Sequence, residues 1–155
     1  MATYKGFMLM SGKANVANIP EANSQTFYRG APVGLSGGKV AALSDTAEAD
    51  IFGIAMRDSK GDTNNANCAV SVITPEQRWK ARLKAGATAD TPAEISRGAG
   101  YILDLTASHW TVDGDTAATE GQGFVIEDYT AGDSAVDGAE VWGRFGRLAC
   151  LAVEG

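Results

Sequence analysis

The chain has 155 residues, 45% of them hydrophobic and 21% charged, with a formal net charge of −6. That length fits one domain with its own core, and the composition is too apolar for a disordered chain. The acidic balance argues against nucleic acid as a partner, because phosphate binding needs Lys and Arg to displace counterions.

The opening MATYKGFMLMSGK carries no signal-peptide pattern, and no apolar run approaches the roughly 18 residues of a membrane span. Synthesis and folding in a reducing cytoplasm, with no membrane partner, are therefore expected. Cys68 and Cys150 share no CxxC spacing and lie in apolar, strand-like stretches, so they read as buried thiols.

Residues 1–26 are rich in Ala, Asn, Ser and Gly, contain Pro20 and show no sustained periodicity. They are expected to form an N-terminal arm, followed by a single domain over 27–155. FYRGAPVGL and KVAAL flank Ser36-Gly37-Gly38, which predicts a hairpin whose glycines accept positive φ. After polar SDTAEAD comes the compact apolar run IFGIAM, then DSKGDTNNAN, a loop by composition. CAVSVIT reads as a strand with Cys68, Val70 and Val72 on one face.

From Arg78 to Lys84 the alternation is strict. Arg78, Lys80, Arg82 and Lys84 take the even positions, and Trp79, Ala81 and Leu83 the odd ones. Period two predicts a half-buried strand. ATADTPAEISRGAG predicts a loop with at most one helical turn, Pro92 at its first position and Thr91 or Asp90 as its cap. YILDLT is a short strand, HWTVDGDT a strand running into a turn, and GQGFVIEDYT a strand after glycines. TAGDSAVDGAE is a polar loop. VWGRFGRLACLAV is a terminal strand or strand pair, with Gly143 and Gly146 as bulges or bends. Strand signals about every 8–12 residues, with Gly-rich turns and no long helical period, predict an all-β fold: a small β-barrel or β-sandwich of short strands.

Catalytic patterns do not emerge. His109 stands beside Trp110 without a nucleophile or paired ligand in a recognisable spacing. Gly34 to Val40 superficially resembles a phosphate loop, but its spacing is one residue short and Val40 stands where a hydroxyl is needed. Asp113-Gly114-Asp115 and Asp133 to Gly138 lack the twelve-residue calcium-loop pattern and read as turns. The chain is therefore read as no enzyme, with no catalytic, metal or cofactor-binding residue.

Charge, by contrast, is organised. The basic face Arg78, Lys80, Arg82 and Lys84 opposes a segment from Tyr101 to Trp142 that carries many carboxylates and no Lys or Arg. Solvated faces of opposite sign are one explanation. Complementary docking surfaces are the other, and they make the four basic residues the candidate partner-binding site.

The stretch ADIFGIAMRDSKGDTNNANCAVSVITPEQRWKARLKAG, with the hairpin before it, resembles the small capsid decoration (cement, head-stabilising) proteins of tailed bacteriophages. The resemblance rests on Gly30 to Leu43 as a GxPVxLxxGKVxxL hairpin, Gly53 to Met56 as a GIAM strand and Val70 to Ile73 as a VxVI strand. It continues through Gly100 to Leu105, the Val112-Asp113 turn and Val141 to Val153, covering about residues 27–153. The resemblance implies a homotrimer on the outer surface of the virion, made in the host cytoplasm, which clamps neighbouring major capsid subunits and grips with its N-terminal arm. It implies no cofactor and no nucleic acid. Two rival readings are a phage tail or baseplate component, and a small-ligand or carbohydrate-binding barrel with Trp79, Trp110 and Trp142 as stacking platforms.

Overall fold

The structure is a computed structural model that describes residues 6–84, 96–129 and 140–151. Eleven strands run in chain order among the described residues: β1 (Met8–Ser11), β2 (Val16–Pro20), β3 (Pro32–Ser36), β4 (Lys39–Ala42), β5 (Gly53–Ala55), β6 (Asn67–Val72), β7 (Arg78–Arg82), β8 (Gly100–Thr106), β9 (His109–Ala117), β10 (Phe124–Tyr129) and β11 (Glu140–Phe145). A 3₁₀ turn, Arg147–Ala149, follows β11. The expected helical turn at Pro92 and the acidic turn at Asp133 to Gly138 fall outside the described residues.

The strands form two antiparallel sheets that pack as a sandwich. The six-stranded sheet has the order β1-β7-β11-β10-β8-β9, and the five-stranded sheet β2-β6-β5-β3-β4. The smaller sheet curls until its two edge strands touch, and the larger brings its second strand, β7, against its edge strand β9. Leu83, just past β7, bridges Val112 of β9, and Glu21, just past β2, bridges Val40 of β4. These single bridges do not close a barrel, so the sandwich is the architecture found.

The predicted hairpin is present. Ser36 pairs with Lys39, and Gly37 and Gly38 have φ of 57° and 79°, the two-residue turn that only glycine adopts without strain. Lys39 thus belongs to a hairpin tip rather than a phosphate loop. Asp113-Gly114-Asp115 is not a turn after a strand but an irregularity inside β9, where the register jumps from Tyr101↔Ala117 to Leu103↔Val112. The sequence predicts bulges or bends at Gly143 and Gly146. Gly143 pairs with Ile126 and Trp79 beside the register slip of β10, where an added Cβ would lie 2.0 Å from the Val125 carbonyl oxygen. Close backbone approach is what demands glycine there.

Residues 6–26 lie within the sandwich and do not stand apart as an arm. They supply one edge strand to each sheet, β1 and β2. Phe7 is fully buried, with its ring centroid 5.3 Å from Phe124 and 5.0 Å from Phe145. Glu21, 2% exposed, accepts hydrogen bonds from Arg57 Nη1 at 2.9 Å and from the Lys60 and Gly61 N–H groups at 3.0 and 3.2 Å. That carboxylate pins the 57–61 loop against β2. Trp79 and Trp110 are 1% and 4% exposed, so they are core residues and not stacking platforms.

Phe7 is therefore expected to matter as a core residue. Phe7→Ala should lower unfolding free energy by about 3–5 kcal/mol in urea denaturation, the usual cost of emptying a buried aromatic site. A loss under about 1 kcal/mol would return the segment to the status of a dispensable arm.

Candidate functional site

Strand β7 alternates as its sequence dictates. Trp79, Ala81 and Leu83 are 1%, 2% and 0% exposed, whereas Arg78, Lys80, Arg82 and Lys84 keep access to solvent on the other face. Its neighbour β11 repeats the pattern, with Val141, Gly143 and Phe145 buried and Glu140, Trp142 and Arg144 only half-buried. Register places Arg82 opposite Glu140 and Lys80 opposite Trp142, so these side chains share the outer face of the sheet.

On β10 the register slips between Ile126 and Asp128, leaving Glu127 as an unmatched residue. Such a bulge turns successive side chains toward one face. Alternation from Val125 already turns Glu127 outward, and the bulge brings Asp128 to the same side. On that outer face Glu127 pairs with Arg78 of β7 and with Arg144 Nε of β11 at 3.2 Å. Lys80 Nζ lies 3.7 Å from Glu140 Oε2, a diagonal cross-strand pair. Lys80, Arg82 and Glu140 also line a notch of about 380 Å³, together with His109 and Trp110. His109 opens β9 with its Nδ1 3.1 Å from the Ala107 carbonyl oxygen.

Lys84 separates from the other three. Its N–H donates to the Val112 carbonyl at 2.8 Å, and its Nζ lies 3.2 Å from Oδ1 of Asp104 on β8. Asp104 is 5% exposed and also accepts from Thr106 Oγ1 at 2.6 Å. The hydrogen bond to the Asp104 carboxylate, reinforced by its charge, pushes the Lys84 ammonium above the ordinary lysine value of 10.5.

The basic strand and the acidic 101–142 segment therefore meet within one chain. Asp104, Glu127 and Glu140 supply carboxylates to Lys84, Arg78 and Lys80 respectively. Trp142 and Arg144, absent from the expected set, stand in the middle of this face. The period-two run Glu140-Val141-Trp142-Gly143-Arg144-Phe145 was the signal that could have placed them there.

Both thiols are free and fully buried. Burial pushes the Cys150 thiol up to about 12 and raises that of Cys68 as well. Neither should react with iodoacetamide at pH 8 in the native state, and both should label fully in denaturant, as counted by mass spectrometry.

Lys84 gives a pH test. The folded state holds the Lys84 proton more tightly than the unfolded chain does. The pair's contribution is thus complete below pH 10.5 and fades as pH rises through the raised folded value. Lys84→Met should cost about 1 kcal/mol at pH 7, discounted for a partly exposed ammonium, and should flatten the alkaline decline in urea-denaturation stability.

No protein-family model matches the chain, and no curated protein matches it either.

Proposed function

We propose that this chain is a structural protein of a tailed phage. In this reading it binds the outside of an assembled capsid and stabilises contacts between major capsid subunits, as a trimer on the shell. The observation that carries the reading is the hairpin-led motif of residues 30–73. Its three pieces correspond to β3–β4, β5 and β6, which are neighbours in the five-stranded sheet.

The outer face of the six-stranded sheet supports it. Arg78, Lys80 and Arg144 are held by Glu127 and Glu140 before any partner arrives. Long side chains ordered in advance lose less entropy on docking, which favours a rigid recognition surface. A partner meets alternating charges around Trp142 rather than a bare cationic strip. Such a surface discriminates between partners by register and steers encounter, while each rim pair adds only about 0–1 kcal/mol.

The test is co-sedimentation with expanded capsids against unassembled capsid protein. Wild type should pellet with capsids alone, less so as salt rises. Arg78→Glu combined with Arg82→Glu should fold, because Trp79, Ala81 and Leu83 are untouched, yet lose capsid association. Circular dichroism verifies the fold in parallel. If the double variant decorates capsids like wild type at low salt, the face has no docking role. If wild type ignores capsids altogether, the capsid reading itself fails.

A further inference from the structure

Between the two sheets, where the chain crosses from β1 to β2, lies a cavity of about 220 Å³. Ile54, Ala55, Ser71 and Trp79 form its inner wall, exposed 2%, 0%, 7% and 1%. Ala14, Val16 and Met56 form an exposed mouth, and Leu9 completes the lining. Val16, Ser71 and Ile54 are register partners across β2, β6 and β5, so one continuous apolar face carries a single hydroxyl.

Two polar atoms of these wall residues, Ser71 Oγ and Trp79 Nε1, are buried and have no hydrogen-bond partner among the described residues. Buried indole N–H groups ordinarily find an acceptor, and an orphaned polar atom in a core carries a desolvation cost. Here two such atoms belong to residues of one cavity. Val16 and Met56, 49% and 41% exposed, place apolar surface at its entrance.

We propose that this cavity is a binding site for a small uncharged molecule with an apolar body and an oxygen acceptor, such as a ketone or ester. The indole can only donate and the serine hydroxyl can also donate, so an acceptor satisfies both. Among the described residues no charged side chain lines the cavity, so an ion entering it would lose hydration without compensation. A dry cavity of about 150 Å³ accommodates benzene, so the present volume has room for a six-membered ring and a short substituent. Both orphan atoms are closed off from solvent, so they donate to a guest only when the Ser71 and Trp79 side chains shift on binding. The site is separate from the charged sheet face and independent of the capsid reading.

Acetophenone, ethylbenzene and benzylammonium are suitable probes, of similar size but differing in acceptor and charge. The readout is the Trp79 indole N–H resonance in ¹⁵N–¹H spectra, identified by its absence in Trp79→Phe. Acetophenone should move it saturably. Ethylbenzene should bind about tenfold more weakly, the equivalent of one net hydrogen bond. Benzylammonium should leave the resonance in place. Ala14→Phe, at the exposed mouth, should abolish the acetophenone shift. Ser71→Ala, which removes an unsatisfied hydroxyl, should fold at least as stably as wild type and narrow the gap between acetophenone and ethylbenzene. Equal binding of those two probes overturns the proposal. So does an acetophenone shift unchanged in Ala14→Phe, or an indole that shows contact with water and no response to any probe.

Discussion

The fold depends on one aromatic cluster. Phe145 stands 5.0 Å from Phe7, 5.3 Å from Phe124 and 6.0 Å from Trp79, measured between ring centroids. Tilted and edge-on pairs at such spacings each add about 0.5–1.5 kcal/mol beyond the area they bury. The four rings come from the entry to β1, from β7, from β10 and from β11, which are successive or near neighbours in the six-stranded sheet. Gly143, two residues before Phe145, is a condition of this packing, because a side chain there would strike the β10 backbone and the Phe124 ring. Cluster and glycine together fix how closely β10 and β11 lie, and so which outward residues can meet.

The outer charges follow from that spacing. Glu127 reaches two arginines because strand alternation turns it outward beside Val125, and because β11 lies between β10 and β7. Charges that would repel along a lone β7 are interleaved with carboxylates from the next two strands. This makes the face ordered and nearly balanced in charge, even though the chain as a whole is acidic. Its distinguishing property is pattern rather than sign.

Much of this was legible in the sequence. Alternation in β7 and the Gly37-Gly38 hairpin follow from local rules, side-chain period two and positive φ, and both are found. The N-terminal strands were not legible for a physical reason. An edge strand such as β2 is exposed at Val16, Asn18 and Pro20 and only half-buried at Ala17 and Ile19, so it needs no apolar face. The intrachain partners of the basic strand were hidden as well. That Asp104, Glu127 and Glu140 meet the basic strand depends on pairings between residues 20 to 60 apart in the chain, and composition carries no record of them. The orphaned Trp79 indole belongs to the same class, since its surroundings are contributed by both sheets.

The strand order also has a consequence for vectorial synthesis. All five strands of the smaller sheet are drawn from residues 16–72, so that sheet can assemble while the rest of the chain is still being made. The larger sheet cannot, because β11, its last strand in sequence, sits between β7 and β10. Until residues 140–145 emerge, β1 and β7 have no neighbour on that side, and Phe7 and Trp79 lack the ring of Phe145. The nascent protein thus passes through an interval with half its sandwich formed and an aromatic surface uncovered. Closure of the core falls to β11, the last strand of the larger sheet to be synthesised, and its insertion between β7 and β10 is the committing step of folding.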